Sequence, residues 1–292
     1  MKTGCQSLVD SRFRLRVLLL HMGRLASCLL LSMALFGAAR AEELVIPGSG
    51  NPEFLLIQLA NAFNSRQSQH RASVPAPNGT AGALRAIKEG SARIARVGRP
   101  PKDEERFPGL SYVPLGIDAV AFVVGADVSV RSITRTQAVD IYTGRLNDWR
   151  QLGGRSGPIR AVGRETTDAS RAAIMREIKA FEKIVFGEDV KMVHLDPQLI
   201  ALLDRYPTSF GFLNRSALHA AKTKVVPLAL DAVAPTPENL ESGRYPMWLE
   251  LGLIYRADAL TDAGRQFLDF VASPTGVRIM RVHGVIPVAA KR

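Results

Sequence analysis

The chain has 292 residues, 47% of them apolar and 22% charged, enough for one large domain or two smaller lobes and far from a disordered or fibrous composition. Its formal charge of +11 favours anionic partners, yet no segment interleaves basic and aromatic residues, which argues against nucleic acid. The two cysteines, Cys5 and Cys28, both lie near the start, so the remainder offers no disulfide, thiol nucleophile or cysteine metal site.

Residues 25–39 are free of charge, with Arg24 before them and Ala39-Arg40-Ala41 closing the run. The run falls short of the ~20 residues that cross a membrane. Its small-x-small ending predicts a secretory signal peptide, residues 1–41, cleaved after Ala41. A start at Met22 would give this leader a compact basic beginning. Leu25-Ala26-Ser27-Cys28 resembles a lipoprotein box, but the main apolar run follows the cysteine, so no lipid anchor is expected. From Glu42 onward there are 32 basic and 26 acidic side chains, a net charge of +6. Of the basic ones 24 are arginine, which suits forked contacts to carboxylate or phosphate.

The exported part opens with a short strand at Leu44-Val45-Ile46, broken by Pro47-Gly48-Ser49-Gly50. Asn51 is placed as the N-cap of a helix with Pro52 at its first position and Phe54, Ile57, Leu59, Ala60 and Phe63 on its apolar face. A second turn, Pro77-Asn78-Gly79-Thr80-Ala81-Gly82, opens a helix that stops at Gly90. Thr80 either caps that helix or offers its hydroxyl and the nearby amides to a ligand. Arg93, Arg96 and Arg99 come next, and strand geometry sets Arg96 on the opposite face from the other two. A solvated edge is expected for Arg96, whereas Arg99 is available to a cleft.

Residues 112–124 are apolar apart from Gly116 and Asp118 and long enough to cross between lobes. A helix begins near Thr134 or Thr136, and Trp149 is assigned to the core. Residues 158–162 form a strand that runs into Gly163-Arg164-Glu165-Thr166-Thr167-Asp168-Ala169-Ser170-Arg171. Ile174, Ile178, Phe181 and Val185 then recur at helical spacing, so a helix N-terminus lies in this turn. Its first amides have no partner inside the helix and carry partial positive charge. With Arg164 and Arg171 on either side and hydroxyls from Thr166, Thr167 and Ser170 between, the turn is a candidate oxyanion site. It is also readable as an ordinary cap, Thr167 or Asp168, between two solvated arginines.

Further on, residues 201–203 predict a short helix, 209–213 and 225–228 strands, 235–245 a proline-containing loop and 248–255 a returning strand. Thr261 caps one further helix and Ser273-Pro274 starts another that ends near His283-Gly284. His70, His194, His219 and His283 are scattered, without H-E-x-x-H or a nucleophile elbow. The expectation is a non-enzyme with no catalytic residue, metal or cofactor.

In this order the motifs resemble the phosphate-binding receptors of bacterial phosphate ABC transporters, within the type II periplasmic solute-binding superfamily, over nearly all of residues 44–289. Gln137-Ala138-Val139-Asp140-Ile141-Tyr142-Thr143-Gly144, Asn147-Asp148-Trp149 and Leu152-Gly153-Gly154 resemble the family's Q-x-x-x-I-F-x-G-x-I-x-N-W-x-x-L-G-G. Arg164-Glu165 begins the counterpart of its R-E-x-G-S-G-T-R anion loop. Tyr245-Pro246 and Phe267-Leu268-Asp269-Phe270-Val271-Ala272-Ser273-Pro274 match as well.

The resemblance implies an α/β fold of two lobes, each a mixed sheet flanked by helices, joined by crossing hinge strands. Residues 42–119 plus 250–292 would form one lobe and 120–249 the other. It implies a periplasmic monomer that closes on a small oxyanion, phosphate by expectation, and delivers it to the membrane permease of an ABC transporter. The implied ligand contacts are Ser49, Gly50, Asn51, Gly79, Thr80 and Arg99 from one lobe. Arg164, Thr167, Asp168, Ala169, Ser170 and Arg171 supply them from the other.

Three positions depart from the family pattern. Asn51 stands where threonine is usual, Gly98 where relatives have serine or aspartate, and Thr167-Asp168-Ala169-Ser170 in place of Gly-Ser-Gly-Thr. Two unit charges ~4 Å apart repel by ~4 kcal/mol at an effective dielectric near ~20. Asp168 is therefore offset by Arg164, Arg171 and Arg99, or accepts a hydrogen bond from a protonated oxyanion, or caps its own helix and fills the anion position with an internal carboxylate. The last option goes with a receptor-like domain of weakened or lost phosphate binding, used for interaction or signalling.

Overall fold

The computed structural model describes residues 41–66 and 69–288. The chain begins with a βαβ unit in which β1 (Glu42–Val45) pairs in parallel with β2 (His70–Ser73), and α1 (Glu53–Arg66) connects them. The helix starts at Glu53, after a turn through Asn51 and Pro52. Leu55, Leu56, Leu59, Ala60 and Phe63 are buried, whereas Phe54 and Ile57, expected on that face, are only half-buried. Next, α2 (Gly79–Glu89) ends at Gly90, whose φ of 73° is the left-handed conformation that glycine adopts at helix stops.

Two long strands organise the rest of the chain. Beyond β3 (Ile94–Val97) the chain enters β4 (Leu110–Val124), 15 residues long and almost wholly apolar. Then come β5 (Ser132–Ile133), α3 (Arg135–Tyr142), β6 (Arg160–Arg164), α4 (Ala169–Glu177), β7 (Lys191–Val193) and α5 (Asp196–Arg205). They are succeeded by β8 (Ser209–Asn214), α6 (Arg215–Ala221), β9 (Val226–Pro227), β10 (Ala229–Leu230) and α7 (Pro237–Glu241). The chain returns along β11 (Trp248–Arg256) and finishes with α8 (Asp262–Ala272), α9 (Pro274–Val282) and β12 (Ile286–Pro287).

The main sheet has the order β3-β11-β4-β8-β6-β7. β11 pairs antiparallel with β4 from Leu110↔Arg256 to Ala119↔Trp248, and β8 takes over as antiparallel partner at residues 120–124. A single strand therefore carries one set of neighbours on its first part and another on its last. From Glu42 onward the chain forms one compact unit.

The core is set by these pairings. Phe122 on β4 stacks on Phe210 of β8 with centroids 5.5 Å apart, and Tyr142, Phe181 and Phe212 pack around it. Trp149 is 2% exposed, and its indole N–H donates to the Thr208 carbonyl at 2.8 Å. The α3 N-terminus carries a full capping box: Thr134 Oγ1 accepts from the Gln137 amide and Gln137 Oε1 from the Thr134 amide. Trp248, 37% exposed at the start of β11, lies under Arg176 of α4. The guanidinium carbon sits 4.6 Å from the ring centroid, and the same side chain donates to the Trp248 carbonyl at 2.6 Å.

Two local expectations are corrected. The apolar spacing through Val185 does not belong to one helix: α4 ends at Glu177 and a 3-10 turn covers Lys179–Lys183. That turn still buries Phe181, but Val185 is left 82% exposed. The segment 235–245 is not all loop either, since Thr236 caps α7 and Pro237 occupies its first position, where a missing N–H is harmless. The signal peptide, both cysteines and the Met22 start lie outside the described residues. Among the described residues no helix is long and apolar enough to cross a membrane.

Candidate functional site

Four strand-to-helix turns, those leading into α1, α2, α4 and α5, open on one cavity of about 510 Å³. Arg96, in the middle of β3, is fully buried; its Nε donates to the Ser49 carbonyl at 2.9 Å, one terminal nitrogen to the Pro75 carbonyl at 2.8 Å and the other to the Ile46 carbonyl. It thereby ties the β1–α1 turn to the segment leading into α2. Backbone bonds add to this clamp, from the Ser49 amide to the Arg96 carbonyl and from the Asn78 amide to the Gly48 carbonyl, both 2.9 Å. Arg96 is thus no solvated edge residue. All four residues of β3 are buried, so the alternate face is as interior as the other. Burial draws the Arg96 pKa down to about 10, opposed by the Glu53 carboxylate nearby.

The second wall is the N-terminus of α2. Its cap residue, Asn78, makes no side-chain hydrogen bond to the helix, and Gly79 and Thr80 line the cavity. Arg99 reaches the wall as well, but its guanidinium grips Glu105 with two bonds of 2.6 and 2.7 Å. That hydrogen bonding holds the Glu105 carboxyl down at about 2, so the Arg99 charge is already matched.

The third wall is the end of β6 and the start of α4. Arg164, 3% exposed, pairs with Asp168 at 2.8 Å and with Asp196, and donates to the His194 carbonyl at 3.0 Å. Burial works against its positive charge, but Asp196 and Asp168 more than offset this and its pKa is raised. Asp168 is the N-cap of α4, its Oδ1 accepting from the Arg171 amide at 2.9 Å. Burial pushes its pKa up to about 6, with Arg164 opposing the shift and Asp196 adding to it. Asp196, the first residue of α5, is fully buried, and its Oδ2 has no hydrogen-bond partner among the described residues.

Ser49, Gly50, Asn51, Gly79, Thr80, Arg99, Arg164, Thr167, Asp168 and Ala169 line the cavity. Ser170 and Arg171 do not. Ser170 is fully buried and its hydroxyl accepts from Asn51 Nδ2 at 3.0 Å. Arg171 turns beneath the turn, donating to the Arg164 carbonyl at 2.7 Å and stacking 4.6 Å from the Phe186 ring. Nor does Asn51 cap α1. Its side chain points inward, with Oδ1 accepting from the Ser49 hydroxyl at 3.1 Å. A Cβ on Gly98 would lie 2.5 Å from that Oδ1, so the glycine there makes room for the asparagine.

Behind Asn51 runs a polar chain that sequence reasoning does not single out. Asn51 Nδ2 also approaches Asn214 Oδ1 at 3.4 Å, Asn214 Nδ2 donates to Asp118 at 2.7 Å, and the Ser216 amide donates to the same carboxylate at 3.2 Å. Burial raises the Asp118 pKa to about 6, with Ser216 and Asn214 opposing. Its signal in the sequence is that it is the one carboxylate within the apolar run 112–124. Asp196 has a weaker one, an aspartate just before Pro197 at a helix start.

Among the described residues no cluster of three or more His, Cys, Asp or Glu could hold a metal. Beside the carboxylates of Asp168, Glu165 and Glu105, the cavity presents the amides of the α2 N-terminus, hydroxyls from Ser49, Thr80 and Thr167, and the buried, carboxylate-paired guanidinium of Arg164. These are groups that bind an oxyanion.

The model of the PBP superfamily domain matches residues 37–275. The Phosphate-binding protein PstS of Bacillus subtilis (strain 168) is 26% identical over 259 residues, covering 86% of this chain and 84% of that protein. A crystal structure from Clostridium perfringens, described as a phosphate ABC transporter substrate-binding protein with bound phosphate, superposes with a TM-score of 0.74 and 26% identity. It covers 84% of this chain and 99% of its own. An ABC-type phosphate transport receptor from Vibrio cholerae shares the fold, with a TM-score of 0.60, 22% identity and coverage of 84% and 100%. With its two crossing strands and mixed sheets this is the type II periplasmic-binding-protein fold, and the chain belongs to the PBP superfamily.

Proposed function

We propose that the protein is an exported receptor that binds a small oxyanion, phosphate, in the cavity between the α2 and α4 N-termini and delivers it to the permease of an ABC transporter. The observation that carries this reading is the meeting of four strand-to-helix turns beside the buried Arg164. Its relatives, described as phosphate-binding proteins and as a phosphate transporter's substrate-binding protein, support it. So does the chemistry of the lining, which offers donors for an anion and no activated nucleophile.

Residues 42–119 plus 250–292 act as one lobe and 120–249 as the other, hinged where β4 exchanges β11 for β8. Closure is driven by ligand contacts from both lobes, which favour the closed state over the open one. The protein works in the periplasm as a monomer, after loss of residues 1–41, and is a binder with no catalytic step. Calorimetric titration of inorganic phosphate into protein unfolded and refolded to strip carried-over ligand tests this reading. Saturable binding is expected, weakened at least about a hundredfold, or about 3 kcal/mol, in Arg164→Met. Failure of phosphate to bind at any pH sinks it.

A further inference from the structure

Asp168 already does at the α4 N-terminus what a bound anion would do. Its Oδ1 takes the Arg171 amide at 2.9 Å, its Oδ2 takes the Arg164 guanidinium at 2.8 Å, and it is 8% exposed. A serine or threonine would cap this helix without bringing a charge. Asp196 holds another nitrogen of Arg164 from the far side. Two cations, Arg164 and Arg171, are thus balanced by two carboxylates before any ligand arrives. An anion entering the cavity meets Asp168 in its wall, beside Thr167 and Ala169.

Resting on the receptor reading above, we propose that Asp168 is the specificity-determining residue of this site. It is a built-in competing anion that must be neutralised by a proton when ligand is captured, so that ligands are taken up together with a proton and fully ionised anions are held weakly. Protonation leaves the cluster one positive charge in excess, which an incoming monoanion cancels. It also frees Arg164 to turn a donor to the ligand.

The charged groups around Asp168 fit such an exchange. Arg164 faces it from the end of β6, Arg171 from α4 and Asp196 from the start of α5, while Glu165, His194, Arg99, Lys102 and Glu105 line the same cavity. Glu53 of α1 stands behind Asp196. Burial favours the neutral form of Asp168, Arg164 opposes it and Asp196 adds to it. His194 also lines the cavity, its Nδ1 3.1 Å from Glu165, and it needs a control of its own.

The test is calorimetric titration of inorganic phosphate from about pH 5.5 to about pH 8, in buffers of different ionisation enthalpy so that protons are counted. It compares the native protein with Asp168→Asn, Asp168→Ser and His194→Gln. Phosphate's own ionisation is common to all four, so differences belong to the protein. Above about pH 7 the native protein is expected to take up about one proton more per phosphate than either Asp168 variant. Relative to those variants its affinity should fall about tenfold per pH unit, and His194→Gln should keep the native pattern. Binding by the Asp168 variants alone, with none by the native protein at any pH, overturns the proposal and the receptor reading together, since the internal carboxylate then occupies the anion position permanently. Equal proton uptake and equal pH slopes in native and Asp168 variants overturn the proposal and leave the receptor reading standing. So does transfer of the native pattern's loss to His194→Gln. No binding by any of the four removes the receptor reading and this proposal with it.

Discussion

Arg96 shows how much one buried charge does here. Three carbonyls from two segments converge on its guanidinium, and removing it takes this donor from all three and the nearby positive charge from the Glu53 carboxylate. Arg96→Met should therefore lose about 3 to 5 kcal/mol of stability, measured by urea unfolding, although methionine fills much of the space. At Gly98 the effect is steric. Gly98→Ala places a carbon against Asn51 Oδ1, and a loss of about 1 to 3 kcal/mol is expected. In an Asn51→Ser background the 2.5 Å contact is gone and only Ser49 Oγ, 3.0 Å away, remains close, so a double-mutant cycle should return a coupling of at least about 1 kcal/mol; additive losses would mean the two positions are independent. In the sequence Asn51 and Gly98 are visible only as two separate departures from a family pattern. Their compensation is a contact in space, and no local rule of capping or periodicity contains it. Arg96 escapes sequence reasoning for a related cause, because alternation tells which face a side chain takes and not whether that face is covered.

Among the elements, those with strong local chemistry are legible in the sequence. Thr134 with Gln137, Thr261, Ser273-Pro274 and Gly90 all mark helix ends where the structure has them. The failures come from tertiary context: Val185 continues a periodic pattern whose helix has already stopped, and the short α7 is hidden by a proline that in fact starts it. The long strand β4 is plain from its apolar run, and its lone carboxylate gives it a pH dependence. Burial raises the Asp118 pKa in the folded state to about 6, so the neutral form is the one the fold favours. Stability from this group is complete below the unfolded carboxylate pKa and is lost as pH rises through about 6. From this group alone, unfolding in urea should show about 2 kcal/mol less stability at about pH 7.5 than at about pH 4.5. Asp118→Asn should flatten that part of the profile, with Asp168, raised in the same direction, supplying what remains.

For the whole molecule, β4 and β11 are the mechanical feature that matters. Because β4 changes partners between Ala119 and Val120, bending there need not break a ladder on either side. Small-angle scattering is expected to show a smaller radius of gyration when phosphate is added, and an unchanged radius at saturating phosphate would count against hinged closure. The architecture can be read from the order of motifs along the chain. The arrangement of charge inside the cavity cannot, since Asp196 and Glu53 reach Arg164 and Arg96 only through the fold.

The stacking of Arg176 on Trp248 has an optical consequence. The chain has two tryptophans. Trp149 is sealed in the core, and Trp248 lies on a crossing strand beneath a cation carried by the helix whose first turn faces the cavity. Any shift of α4 relative to β11 changes the polarity and quenching around one indole and leaves the other as a constant background. The protein therefore carries its own fluorescent reporter of α4 movement: a phosphate-induced change in emission should persist in Trp149→Phe and vanish in Trp248→Phe, with no dye attached.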